Sequence, residues 1–354
     1  MDFEQNDNLS GPTQPQPAKP ISGLSQTGPM KPARKGAGWR IFWGIVLALS
    51  VMANIALFLM LIGVVAVFAT GQRSILTEEV VREGPARAKI AIITIEGIIH
   101  GEQAENVYRQ LKAAREDKRV KGLIVRVNSP GGTISGSDRI HEEILKYREE
   151  EDKPVIAFMQ GVAASGGYYT SVACEEIIAE PTTITGSIGV ISWWLVVQEL
   201  LEDKLGVLPV VVKSGQKKDW PSSFRTPTPE EIQYLRDKVI TPALERFVEV
   251  VTQGRENLLT EAEVRRLADG GIFGAQEAKK EKLIDKIGYL DEAIELVKSR
   301  ADIDKADKVR VVAYRKPFSF AELVSYRNRN LLKIDRATLY ELSTPQILYL
   351  WSAY

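Results

Sequence analysis

The chain has 354 residues, 44% hydrophobic and 26% charged, with 46 basic side chains against 46 acidic ones. That length allows one large domain or two modest ones, and the balanced charge gives no basic surplus from which to expect a nucleic-acid partner. A single cysteine, Cys174, excludes an internal disulfide and any multi-cysteine metal site, and only His100 and His141 could serve a histidine-dependent triad or zinc centre.

Residues 1–40 are rich in Pro, Gln, Gly, Ser and Asn. With few large apolar side chains to offset the entropy of ordering, they are expected to form a disordered tail. Residues 41–70 then carry no charged side chain. About 20 helical residues cross the hydrocarbon core of a bilayer, so this run is expected to be a transmembrane anchor. A cleaved signal peptide competes with that reading, since Val67-Phe68-Ala69 is a tolerable cleavage site. Such peptides, however, carry an apolar region of only about 7–15 residues. Lys31, Arg34, Lys35 and Arg40 precede the run without acids, whereas Arg73 follows it among Glu78, Glu79 and Glu83. Counting basic residues near the ends predicts a single pass through the cell membrane, the amino terminus cytoplasmic and the rest extracytoplasmic.

Residues 71–88 read as a linker, and from Lys89 the pattern changes. Residues 89–99 (KIAIITIEGII) predict a strand, 103–115 a helix, 120–127 (VKGLIVRV) a second strand, 136–151 a helix and 154–159 a strand. Strand–helix alternation of this kind specifies an α/β fold with a mainly parallel sheet and helices on its faces. A strand is predicted at 207–212, helices near 229–253, 260–267 and 291–300, and a strand at 309–314. One domain is therefore expected over 89–315, followed by a tail, 316–354, whose end Ile347-Leu348-Tyr349-Leu350-Trp351 is unusually apolar. Cys174, in the run Ser171-Val172-Ala173-Cys174, reads as a small core residue. His100 and His141 read as lying on solvated or half-buried faces, and His141 has no partner at metalloprotease spacing. Imidazole is thus not expected to be the base.

Three stretches carry chemistry. In Gly161-Val162-Ala163-Ala164-Ser165-Gly166-Gly167-Tyr168-Tyr169, a serine sits between small residues after a buried strand and before a helix. There the free amides and the positive end of the helix dipole would favour an alkoxide; a tight packing turn is the plainer alternative. Asn128-Ser129-Pro130-Gly131-Gly132 ends a strand with paired glycines, whose exposed N–H groups could bind an oxyanion, or which simply form a turn. Lys213-Ser214-Gly215-Gln216-Lys217-Lys218-Asp219 offers lysines. A lysine acts as a base only when neutral, and at its ordinary pKa of about 10.4 only roughly one in a thousand is neutral at pH 7.4. Such a lysine must enter a dry site, where burial can lower the pKa by about 3–5 units. Ser187, in Thr185-Gly186-Ser187-Ile188-Gly189, is a candidate to hold its ammonium, while a solvated basic loop is the plainer reading of Lys217 and Lys218. These residues alone do not choose between the two lysines. The penicillin-recognising pattern is excluded, because its two lysine elements would overlap here and its S-D-N element is missing.

Taken together, NSPGG at 128–132, AASGGYY at 163–169, TGSIGV at 185–190, KSGQKKD at 213–219 and ADGGIFGAQEAKKEKLIDKIG at 268–288 resemble, in order, the signal peptide peptidase A family in its short form. The resemblance covers about 89–314. It implies a crotonase/Clp-protease-like fold and a Ser–Lys dyad, with no metal or organic cofactor. It puts the nucleophile on Ser165, an oxyanion-hole amide on Gly132, the base on Lys218 before the aspartate, and a lysine-orienting serine on Ser187. It further implies a homo-oligomeric ring in which the lysine can come from a neighbouring subunit, and substrates that are remnant signal peptides held near membrane lipid. Two rivals share the fold: a crotonase-type acyl-CoA enzyme and a catalytically inactive membrane scaffold. The apolar tail resembles a signal peptide in character and is a candidate occupant of the substrate groove.

Overall fold

The computed structural model describes residues 36–70, 76–304, 306–316 and 346–351. The expected disordered stretch up to residue 35 and the part of the tail over 317–345 lie outside the described residues. The chain divides into two units between Gln72 and Arg73.

The first unit contains helix α1, Ala37–Thr70. Within it Gly38–Gly63, 26 residues, is long and apolar enough to cross a membrane, and its side chains find no burial within the protein. A helix with an exposed apolar surface on every side has no soluble partner to cover it, which fits a lipid environment. At 1.5 Å per residue these residues span about 39 Å, enough for the hydrocarbon core with tilt.

The second unit is built on a nine-stranded sheet. Its strands are β1 (Thr77–Arg82), β2 (Lys89–Glu96), β3 (Val120–Ser129), β5 (Val155–Ala164), β6 (Glu176–Ala179), β7 (Ile184–Gly186), β9 (Ile272–Gly274), β10 (Lys286–Ile287) and β11 (Arg310–Arg315). The main order is β1-β11-β2-β3-β5-β6-β10, with β7 pairing β5 and β9. The pairs from β11 to β10 and the β5–β7 pair are parallel, while β1 closes one edge antiparallel to β11. The segment read from sequence as a linker thus supplies an edge strand.

The period of two in β2 explains the layers. Ala91, Ile93 and Ile95 face one side, with helices α2 (Gly101–Glu116), α3 (Ile134–Glu151) and α6 (Thr241–Gly254) over it. Ile90 and Ile92 face the other with Ile124, Ile156 and Phe158, covered by Ala293, Ile294 and Val297 of α9 (Leu290–Arg300). A strand buried on both faces reads as a near-continuous apolar run, as β2 does over residues 90–93 and β3 over 122–125, with Lys121 exposed and Arg126 half-buried on either side. Four further α-helices belong to this unit: α4 (Gly166–Ser171), α5 (Pro229–Leu235), α7 (Glu261–Leu267) and α8 (Ala275–Lys280), the last packed against β7, β9 and β10. A small second sheet has the order β4-β12-β8, from Gly131–Thr133, Gln346–Leu350 and Ile191–Trp193.

Two expectations are corrected. Residues 207–212 form no strand; Val210 is 80% and Val212 95% exposed, because a β-branched run becomes a strand only against a neighbour. His141 is buried rather than solvated or half-buried, lying on the inward face of α3. Cys174 is a core residue as expected, and burial pushes its thiol up to about 12, which disfavours the reactive thiolate.

Candidate active site

The carboxyl ends of β3 and β5 deliver two loops to one point, where ligands bind in open parallel sheets. Strand β5 runs past its predicted end to Ala164, so Ser165 is the cap residue of α4. Ser165 has φ 53° and ψ −115°, a conformation that non-glycine residues adopt only when the surroundings enforce it. Its N–H donates to the Gly186 carbonyl at 2.8 Å and its own carbonyl accepts from Tyr169 N–H at 2.8 Å. The residue is 1% exposed, and its hydroxyl does not cap α4, which leaves it available to other partners. With only six residues, α4 contributes through its first amides rather than through a long dipole.

The glycines explain how the two loops meet. A Cβ on Gly166 would lie 3.2 Å from the Gly132 nitrogen and 3.1 Å from Gly131 Cα, and would collide with Ser137 Oγ. One on Gly167 would lie 2.7 Å from the Ser129 carbonyl. The glycines after Ser165 are therefore required by close approach to the NSPGG loop. Ile99 pairs with Gly132, donating to the Gly131 carbonyl at 2.8 Å and accepting from Thr133 N–H at 2.7 Å. Those bonds use the groups on either side and turn the N–H and C=O of Gly132 toward β12.

Ser187 is the residue after Gly186, whose carbonyl holds the Ser165 amide. It has φ 49°, donates its N–H to Gly271 O at 2.7 Å and is 6% exposed. It lines a cavity of about 370 Å³ together with Ile191, Asp269, Leu350 and Trp351. Ser165 and Ser187 are thus joined through the Ser165–Gly186 hydrogen bond, and Gly132 is brought beside them by the close approach of its loop to Gly166. Lys218 is not among them. It is exposed on the turn Gln216–Asp219; its N–H donates to the Gly215 carbonyl at 3.1 Å, and its side chain makes no hydrogen bond or ion pair among the described residues.

The groove at Gly132 is filled by the chain's own end. Strand β12 runs antiparallel to β4 with Tyr349 opposite Gly132 and Leu350 opposite Gly131, and Trp351 N–H donates to the Pro130 carbonyl at 2.8 Å. A Cβ on Gly131 would run into the Tyr349 carbonyl, which is why that position, at φ 101°, is glycine. The Tyr349 ring stacks on Tyr169 at 5.1 Å and lies 4.7 Å from Phe247, and its hydroxyl donates to Ala243 O at 2.7 Å. Tyr169 in turn donates to Asp138 at 2.5 Å. The sequence offers the tail as a candidate occupant of the groove but does not show this aromatic pocket. The paired tyrosines after Ser165 were its one visible signal.

His141 stands behind the pocket, 5.3 Å from Tyr169 ring to ring, with Nδ1 unpartnered. Burial pushes its imidazole down to about 4; Asp138 opposes this, while Arg246 and Arg148 add to it. The unfolded chain binds this proton near pH 6.5 and the folded one does not. The stability it contributes is therefore full above pH 6.5 and falls as pH drops toward about 4, by roughly 3 kcal/mol at most. Thermal unfolding of wild type and His141→Leu between pH 4 and 7 is expected to give a steeper acid decline for wild type. Parallel curves would contradict the assignment.

Over residues 147–304 the chain matches peptidase family S49, and over 85–182 the Clp protease family. It is 39% identical over 242 residues to the putative signal peptide peptidase SppA of Enterococcus faecium, covering 65% of this chain and 69% of that protein. It is also 39% identical over 231 residues to the putative protease slr0021 of Synechocystis, 65% of this chain and 80% of that one. The chloroplastic serine protease SPPA of Arabidopsis thaliana is 32% identical over 234 residues, 66% of this chain but 34% of that longer protein. Fold and likeness together define a serine peptidase of Clp-protease-like architecture. The chain belongs to peptidase family S49, the signal peptide peptidase A family.

Proposed function

We propose that this protein is a membrane-anchored endopeptidase with a Ser165–Lys218 dyad, degrading remnant signal peptides within reach of the bilayer. The observation that carries the reading is the groove beside Ser165, occupied by an extended apolar segment paired strand-to-strand with Gly131–Thr133. An extended peptide bound by its backbone, with pockets for its side chains, is how a protease holds a substrate.

Chemically, neutral Lys218 takes the Ser165 proton as Oγ attacks the scissile carbonyl. The Gly132 N–H receives the developing oxyanion, and the lysine returns the proton to the leaving amine. Water then attacks the ester, with the lysine again as base, and releases Ser165. Ser187 orients the lysine from beside the cavity next to Ser165. Residues 89–315 carry this chemistry, with β12 as an added strand from the tail.

Lys218 is exposed and makes no contact with Ser165 within one chain, which supports a ring in which each lysine serves a neighbouring subunit. The exposed apolar run with Leu208, Val210, Val211 and Val212, just before the lysine turn, fits burial against such a neighbour. The basic residues ahead of α1 favour a cytoplasmic amino terminus, with the peptidase on the extracytoplasmic side of the cell membrane.

The direct test is cleavage in detergent of a synthetic signal peptide against a polar peptide of equal length. Preferential cleavage of the signal peptide is expected; equal rates would remove the substrate assignment while leaving the peptidase. Deleting residues 347–354 is expected to raise kcat/KM several-fold by emptying the groove. The same deletion lowers the Tm, because Tyr349 is fully buried. An unchanged rate and an unchanged Tm would count against a tail seated in the groove.

A further inference from the structure

The lysine turn is held to one helix by the two residues flanking Lys218. On one side, the Lys217 ammonium lies 4.4 Å from the Tyr234 ring centroid and 5.2 Å from that of Trp220. The two rings meet edge to face at 5.6 Å. On the other side, the Asp219 carboxylate accepts from Lys213 at 2.7 Å and lies 3.6 Å from the Arg225 guanidinium. Arg225 donates two bonds, both 2.6 Å, to Glu231, a bidentate pair on a carboxylate that is 1% exposed. Glu231 is in turn fixed by Thr228 N–H at 2.8 Å within the capping box that starts α5.

Glu231 and Tyr234 are three residues apart on α5 and so share a face. Both supports of the turn therefore come from one rigid surface. Of the ammonium groups at 213, 217 and 218, the first two are engaged, and that of Lys218 alone has no hydrogen-bond, ion-pair or ring partner among the described residues. A lysine side chain is long and flexible, and a base that must reach a buried hydroxyl gains from a fixed starting point.

We propose that Lys217, clamped between Trp220 and Tyr234, and Asp219, tied through Arg225 to Glu231, are positioning residues that lock the Gln216–Asp219 turn and present Lys218 to its serine. The inference rests on the reading of Lys218 as the base. It goes beyond that reading by giving the adjacent lysine a separate task, one that needs a cation over aromatic rings and no proton transfer. Arginine can fill that task, because it binds aromatic faces, and it cannot act as a base, because it stays protonated.

The experiment compares wild type, Lys217→Met, Lys217→Arg and Lys218→Arg, full-length in detergent, on a synthetic signal peptide. Lys217 is exposed, so its replacement leaves folding intact, and Tm and oligomer size are checked for each protein. Lys217→Met is expected to lower kcat by about 10–100-fold with KM unchanged, the loss that a misplaced catalytic group causes. Lys217→Arg is expected to restore kcat to within a few-fold, and Lys218→Arg to be inactive. Tyr234→Leu and Tyr234→Phe repeat the comparison from the ring side, with only the phenylalanine variant retaining the rate. A Lys217→Met rate within twofold of wild type, with Lys218→Arg inactive, would overturn the positioning role alone. Lys217→Arg as inactive as Lys217→Met would overturn it too, by marking Lys217 as a base. An active Lys218→Arg would instead overturn the assignment of the base.

Discussion

Replacing Ser165 by alanine is expected to lower kcat/KM on a peptide substrate by at least about 10³-fold, the scale lost when a covalent nucleophile is removed. The side chain lost is one hydroxyl at a residue that is 1% exposed, so the core around it should persist. The backbone makes a second comparison informative. At φ 53°, alanine keeps the strain that serine carries, whereas glycine relieves it. Strain of this kind costs about 1–3 kcal/mol, against roughly 0.5–1 kcal/mol for the extra freedom glycine gives the unfolded chain. Ser165→Gly should therefore be as inactive as Ser165→Ala and at least as stable as wild type. Thermal unfolding beside the peptidase assay checks both. A Ser165→Gly protein clearly less stable than Ser165→Ala would show that the serine is not held under strain.

Lys218→Ala is expected to be as inactive as Ser165→Ala, and the two inactive proteins to complement each other when their subunits are exchanged. If each site draws its serine from one protomer and its lysine from the next, random equal mixing rebuilds an intact pair at about a quarter of the sites. Roughly that share of wild-type activity should appear after co-assembly in detergent. The motivation is structural: Ser165 is buried at the end of β5, while the Lys218 side chain is exposed and has no partner among the described residues. Co-assembled oligomers that stay inactive would mean that the lysine folds back within its own chain, or that another group is the base.

Much of this arrangement is legible in the sequence, for identifiable reasons. Strand β2 is buried on both faces over residues 90–93 and β3 over 122–125, so each carries a compact apolar run, although Lys121 and Arg126 flank the run in β3. The serine segment is legible because glycines were needed where two loops press together, at Gly131, Gly166 and Gly167. Residues 207–212 misled, because β-branched composition reports a preference for packed, extended backbone without saying whether a partner strand is available. His141 misled through its neighbours: Glu142 and Glu143 suggest a solvated stretch, but at 3.6 residues per turn His141 falls on the inner face with Ile140 and Ile144. The aromatic pocket was hidden because Tyr169, Phe247 and Tyr349 come from widely separated segments that only the fold brings together. The choice between Lys217 and Lys218 was open to residue-level reasoning. It gains a physical criterion only once the rings of Trp220 and Tyr234 are seen to hold the first of them.

The most direct measurement of the central claim is to trap the acyl-enzyme. A blocked peptide ester reacts with wild-type protein for a few seconds, acid stops the reaction, and peptide mass spectrometry locates the added acyl group. The account predicts a single adduct on Ser165 that is absent from the Ser165→Ala protein. An adduct on another residue, or one that persists in Ser165→Ala, would contradict Ser165 as the nucleophile.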